Sequence, residues 1–300
     1  MNGEQDSRPW IQPARDLLRR ARGGEGWGYR TGSAPAVEPT ALASLALLPE
    51  GGADPEILEA ARWVAALQRP DGSVPVGKAL PEPGWPTPLA VLLWSAVGGF
   101  AQERRRACAW MLEAKGTTLE RGPDLVVEHD TTLVGWPWVL GTSAWVEPTA
   151  MAILALTREG QVQHPRVREG TKLLLDRALS AGGWNYGNTV VFGATLRPQP
   201  VPTGWALMAL AAASAGGPEV TRGLAFLEAS LPPIRSAQSL GWGLLGLEAW
   251  KRRPAEADAW LARAFEVSGG PEEASRAAVL LLAQGGRRSL DLLGVPRGGP

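Results

Sequence analysis

Two kinds of apolar pattern alternate along the chain. One is apolar nearly all round: residues 202–213, PTGWALMALAAA, carry no charge, and a helix of that composition is buried on every side. The other is amphipathic. Around 55–68, Ile57, Leu58, Ala61, Val64 and Ala65 form a stripe, while Glu56, Glu59, Arg62 and Arg69 lie on the other side. Segments 102–115, 166–179, 218–231 and 254–267 read the same way, and 10–22 make a weaker sixth. The apolar runs have a recurrent start: Val37-Glu38-Pro39-Thr40-Ala41, Gly84-Trp85-Pro86-Thr87-Pro88, Val146-Glu147-Pro148-Thr149-Ala150 and Val201-Pro202-Thr203-Gly204. Proline at the first helical position loses nothing, because its missing N–H has no partner there. Degenerate copies begin near Ser236 and Pro271. Six amphipathic helices outside six buried ones predict an all-α fold, an (α/α)6 toroid of six helical hairpins. An open solenoid is the alternative; the count of six and the lack of a polar capping repeat favour closure. One domain over 1–300 is expected, with 1–9 disordered and 294–300 a tail.

Loop lengths divide the two ends of this toroid. Inner-to-outer connections are short, as from Pro49 to Asp54, whereas four outer-to-inner connections are long: 23–38, 69–85, 116–147 and 180–201. In an alternating hairpin array these fall on one end, and long loops in compact domains are usually functional. They carry Trp27, Tyr29, Trp85, Trp136, Trp138, Trp145, Trp184 and Tyr186.

Composition then narrows the function. Fourteen tryptophans against four phenylalanines and two tyrosines are a bias that needs a physical reason. Formal net charge is zero and no basic stripe stands out, so nucleic acid is not an expected partner. No stretch reaches bilayer-spanning length, and the first ten residues hold no apolar signal run. With a single cysteine, Cys108, read as a small buried hydrophobe, a cytoplasmic location is expected. Loop tryptophans leave room for shallow, peripheral membrane contact.

Several turns resemble a known repeat. Gln68-Arg69-Pro70-Asp71-Gly72-Ser73-Val74 resembles the Gln–Gly–Trp repeat of squalene and other triterpene cyclases, with Val74 in the tryptophan place. Gly182-Gly183-Trp184-Asn185-Tyr186 and Gly24-Glu25-Gly26-Trp27-Gly28-Tyr29 resemble the same turn without its glutamine. The chain is similar over nearly its full length to the prenyltransferase and squalene-oxidase repeat superfamily, whose domains are (α/α)6 toroids. The resemblance speaks to fold more than to activity.

In cyclases of this superfamily an Asp-x-Asp-Asp type motif supplies the acid that protonates an alkene. The nearest segment is Glu128-His129-Asp130-Thr131-Thr132, where Asp130 matches the central acid, Glu128 replaces the first Asp, and His129 or Glu128 can tune it. A carboxyl buried among indoles keeps its proton and can act as a general acid. The competing reading is an exposed polar cluster making side-chain turns, and the segment lies well upstream of the next inner helix. Glu38 and Glu147, each directly before a Pro-Thr pair, are a second candidate pair near the mouth. They are read either as helix N-terminal charges or as working carboxylates, which in a pair can also hydrolyse a sugar linkage. Helix-borne Trp63, Trp94, Trp110, Trp250 and Trp260 are read as packing. The loop tryptophans either wedge hairpins together or line a pocket where indole faces stabilise a cation. Arg30 and Arg197 lie in mouth loops and can meet an anion. Cys108, His129 and His164 fall on separate segments without ligand spacing, so neither metal nor cofactor is expected.

The resemblance thus implies a class II terpene cyclase-like isomerase or lyase. It would act on an isoprenoid or similar apolar chain, with Asp130 as acid and Trp136, Trp138, Trp145, Trp184 and Tyr186 as wall. A single toroid calls for a small substrate or a partner subunit, since triterpene cyclases use two helical domains. The alternatives are a non-catalytic lipid- or peptide-binding toroid and a carbohydrate-active (α/α)6 enzyme using Glu38 and Glu147.

Overall fold

The computed structural model describes residues 9–50, 54–82, 84–120, 122, 126–270 and 272–298. Most of the segment expected to be disordered (1–8 of 1–9), the end of the expected tail (299–300) and Pro271 lie outside the described residues. Six inner helices are α2 (Val37–Leu47), α4 (Thr87–Val97), α6 (Val146–Arg158), α8 (Pro200–Ala212), α10 (Ala237–Ala249) and α12 (Glu273–Gln284). Each packs on the next, and α12 returns to α2, so the ring is closed. The outer helices are α1 (Ile11–Ala21), α3 (Pro55–Ala66), α5 (Ala101–Glu113), α7 (Pro165–Asp176), α9 (Pro218–Ser230) and α11 (Ala257–Glu266). Each backs the inner helix of the preceding hairpin, and α1 completes the circuit against α12. The fold is the expected all-α toroid; among the described residues the one sheet is a two-stranded hairpin, β1 (Val190–Val191) and β2 (Ala194–Thr195).

Burial follows the two patterns of the sequence. In α8 every residue except Val201 is buried, whereas α3 buries only Ile57, Ala60, Ala61, Trp63 and Val64. The inner ring is drawn tightest between α8 and α10. A Cβ added to Gly246 would stand 2.8 Å from the Gly204 Cα, and one added to Gly204 would collide with the Trp242 carbonyl. The Trp205 and Trp242 rings lie beside this seam with centroids 4.2 Å apart. Glycine is required on both helices because any side chain would hold the backbones apart.

The inner helices begin earlier than the Pro-Thr pairs suggest. Pro39, Pro148 and Pro202 each take the third position of their helix. Proline is tolerated there too, since first-turn N–H groups have no intrahelical acceptor. The following threonine thereby lands inside the helix, with its hydroxyl turned to the long loop.

The end opposite the long loops is closed by a helix that the periodicity does not reveal, α13 (Gly286–Leu292). It touches α2, α4, α10 and α12 across the ring. Leu290 on this helix and Leu293 and Val295 just after it are buried. Arg288 donates to the Leu48 carbonyl just past the end of α2, and Arg158 Nη1 donates to the Asp291 carbonyl at 3.2 Å.

Candidate functional site at the toroid mouth

Three loop tryptophans share one arrangement. Trp27, Trp136 and Trp184 are buried. Each donates its indole N–H to a carbonyl of the preceding outer helix: Leu18 at 2.8 Å, Met111 at 2.7 Å and Leu174 at 2.6 Å. Each backbone N–H is accepted by the threonine hydroxyl of the following inner helix: Thr40 at 2.9 Å, Thr149 at 3.0 Å and Thr203 at 2.9 Å. Val74 makes the same backbone bond to Thr87 Oγ1 at 2.8 Å. The Pro-Thr repeat is therefore one half of a clasp joining outer helix, loop and inner helix. These three indoles are fully committed to it, in keeping with the wedge reading. The turn before Val74 and the one before Trp184 use the same backbone: Gly72 and Gly182 both have φ of 95°, a conformation open to glycine. Gln68 anchors its turn by donating to the Gly72 and Glu103 carbonyls at 3.0 and 2.9 Å, so it ties the loop to the neighbouring outer helix.

Two places after each wedge tryptophan stands a second aromatic residue: Tyr29, Trp138 and Tyr186. Tyr29 and Tyr186 are 40% and 44% exposed. Trp138 meets Trp85 edge to face at 4.8 Å. Trp145, the residue before α6, packs over Gly187. Loop backbones cap the inner helices from the same side: Val37 N donates to the Val76 carbonyl and Val146 N to the Tyr186 carbonyl, both at 2.8 Å.

Beneath these loops stand the two glutamates, each at the second position of its helix. Burial raises the Glu38 carboxyl, and a hydrogen bond from Tyr29 partly offsets this. The Tyr29 hydroxyl is raised in turn by burial and by the Glu38 charge. Burial, helped by the Glu38 charge, pushes Glu147 up to about 7. Its Oε1 is buried with no hydrogen-bond partner. The Tyr186 hydroxyl is raised by burial and by the Glu147 charge. The fold thus gathers two carboxyls that sense each other, each with an exposed tyrosine beside it. An unsatisfied buried carboxyl that keeps its proton near neutral pH is a candidate general acid.

The Glu128–Asp130 segment lies elsewhere. Asp130 Oδ1 accepts from the Thr132 backbone N–H at 2.9 Å and hydroxyl at 2.7 Å, which is a side-chain turn. Its own N–H donates to Asp176 Oδ2 at 3.0 Å at the end of α7, and Arg177 Nη1 donates to its carbonyl at 3.4 Å. Glu128 is exposed. His129 lines a small cavity of about 130 Å³ with Arg177 and Asn188, and its Nδ1 is buried without a partner. This cluster is set against an outer helix, whereas Glu38 and Glu147 sit at inner-helix starts. Cys108 is buried on α5, and burial pushes its thiol up to about 12.

A cavity of about 410 Å³ opens between the first two mouth loops and is lined by Tyr29, Arg30, Trp63, Val76 and Leu80 among others. Tyr29 is common to this cavity and to the carboxyl pair. The volume falls in the range of small-molecule sites. Sequence reasoning named Tyr29 and Arg30 but not Trp63, whose helical position reads as packing.

No protein-family model matches the chain, and no curated protein matches it significantly. Solved structures do. The type II terpene cyclase MstE from Scytonema, in a variant bound to its substrate geranylgeranyl dihydroxybenzoate, is similar at 18% identity with a TM-score of 0.60, over 95% of this chain and 96% of that one. The same cyclase without ligand is similar at 20% identity and a TM-score of 0.59, over 88% and 80%. A variant with the product merosterolic acid A is similar at 18% and 0.58, over 88% and 80%. No helix among the described residues is long and apolar enough to cross a membrane. In fold, the chain is a terpenoid cyclase-like α/α toroid.

Proposed function

We propose that the protein is an acid-initiated cyclase of an isoprenoid chain, with Glu147 as the proton donor. The observation that carries this reading is the Glu147 carboxyl, whose Oε1 is buried without a hydrogen-bond partner and which burial pushes up to about 7. Protonated, it gives its proton to a substrate double bond; the resulting carbocation closes a ring by attack of a second double bond, and loss of a proton ends the reaction. One proton enters and one leaves, so the product is an isomer. Tyr29 lies beside Glu38 and Tyr186 beside Glu147, and aromatic faces stabilise a cation by about 0.5–2 kcal/mol each. Burial keeps Glu147 protonated, and the charge of Glu38, which is held by Tyr29, adds to it. Glu147 is preferred to Asp130 because the Asp130 carboxylate is spent on its own turn. The toroid fold shared with MstE, which binds geranylgeranyl dihydroxybenzoate in a chain matched over 96% of its length, supports an isoprenoid ligand in a single toroid. Exposed Leu80, Leu140 and Phe192 on the mouth loops suit contact with a lipid boundary that delivers such a chain.

The test is a product assay. Squalene, farnesyl and geranylgeranyl diphosphates and a prenylated dihydroxybenzoate are incubated with the protein, and extracts are analysed by gas chromatography–mass spectrometry. A cyclic product is expected. Glu147→Gln is expected to lower its rate by about 10²–10⁴-fold, the usual value of a general acid, and Asp130→Asn to leave it within a few-fold. The rate is expected to fall as pH rises above about 7, where Glu147 loses its proton. Equal loss in Asp130→Asn and retention in Glu147→Gln would overturn the assignment.

A further inference from the structure

The cavity between the first two mouth loops has an uneven set of polar groups. Five of its lining residues have charged or hydroxyl side chains, Glu25, Tyr29, Arg30, Ser33 and Lys78, and Trp63 adds an indole N–H that is buried without a hydrogen-bond partner. Four of the five are already matched. Lys78 Nζ and Glu25 Oε2 pair at 2.8 Å. Ser33 Oγ accepts from the Arg30 N–H at 3.1 Å and donates to the Arg30 carbonyl at 2.7 Å, closing a local turn. The Tyr29 hydroxyl is engaged with Glu38. The Arg30 guanidinium alone has no carboxylate within ion-pair distance among the described residues. Apart from the Trp63 N–H the rest of the lining is apolar, with the Trp63 ring, Val76, Pro35 and Leu80 the largest surfaces.

We infer that this cavity binds an amphiphile with an apolar body and a single carboxylate, the body lying against Trp63 and Val76 and the carboxylate taken by Arg30. A guanidinium presents a planar fork that matches a carboxylate with two parallel hydrogen bonds. With Lys78 bound to Glu25, one cation remains for the ligand, which fits a monoanion better than a diphosphate. The apolar body has two polar neighbours, the Trp63 indole N–H and Tyr29, and through Tyr29 approaches Glu38. The orientation of the ligand rests on the cyclase reading of the mouth; the binding itself does not.

Binding is tested with saturated chains that have no double bond to protonate, so its outcome is separate from the product assay. Dodecanoate and 1-dodecanol, both kept below their aggregation limits, are titrated into the full chain by calorimetry. Dodecanoate is expected to bind about tenfold more tightly, the value of one partly exposed charge-assisted contact, and to weaken with added salt. Arg30→Gln is expected to abolish the preference while keeping dodecanol binding, and Arg30→Lys to retain most of it. Equal affinities in the parent protein, an unchanged ratio in Arg30→Gln, or no binding of either chain overturns the inference. Cyclisation without any dodecanoate preference would refute this site and leave the acid assignment standing; dodecanoate preference without cyclisation would do the reverse.

Discussion

Replacing Glu147 by glutamine should make the protein more stable, and only above a definite pH. The carboxyl titrates at an ordinary value of 4.5 when unfolded and at about 7 in the folded mouth. Between those values the unfolded chain has released its proton and the folded one has not, so each rise in pH favours unfolding. The shift of roughly 2.5 units corresponds to about 3 kcal/mol of lost stability once pH exceeds 7. Below pH 4.5 both states are protonated and the loss vanishes. Glutamine, neutral throughout, carries no such loss. The gap in unfolding free energy between Glu147→Gln and the parent should therefore widen by about 3 kcal/mol from pH 4.5 to pH 8. At about 2 °C per kcal/mol for a chain of this size, that is roughly 6 °C in melting temperature. Urea unfolding followed by circular dichroism at the two pH values measures the gap directly. The same gap at both would show that Glu147 is ionised and solvated at neutral pH, and would remove the basis for its role as acid.

Three further expectations follow from packing. Gly204→Ala drives a Cβ into the Trp242 carbonyl and should cost about 3 kcal/mol or prevent folding, at the upper end of overpacking effects; an unchanged melting temperature would mean that α8 and α10 can separate freely. Thr149→Val leaves the buried Trp136 N–H without its acceptor and should cost about 1–3 kcal/mol, with Thr149→Ser recovering most of it in urea titrations. Cys108, buried on α5, should resist a thiol reagent at pH 8 until denaturant is added, and rapid labelling of the native protein would contradict its burial.

Much of the fold could be read in advance because it is repetitive. The alternation of uncharged and amphipathic runs located all twelve ring helices, and the unequal loop lengths located the mouth. What escaped was tertiary. The role of Thr40, Thr149 and Thr203 depends on a loop tryptophan N–H arriving from well upstream, and local propensity contains no trace of that. The same clasp divides the loop tryptophans into buried wedges and mouth residues, although all stand in similar Gly-rich turns. Helix α13 is short and follows α12 directly, so its apolar positions blend into the preceding run. Within the site, the motif resemblance drew attention to Asp130. The glutamates of the two Val-Glu-Pro-Thr starts read equally well as helix-end charges. Only their burial, and the missing partner of Glu147, separates a stabilising charge from a strained acid.

Closure of the ring has a consequence for how the chain comes to fold. The seam between α12 and α2 joins elements more than 200 residues apart in the sequence, so α2 has no partner on one side until α12 has been synthesised. Pairings of such separation form late and slowly. During translation the side of α2 that α12 covers in the finished ring is therefore open to whatever else can cover it. A nascent chain halted before residue 273 is expected to be sticky and to recruit holding chaperones, while one that includes α12 and α13 loses that stickiness as the seam closes.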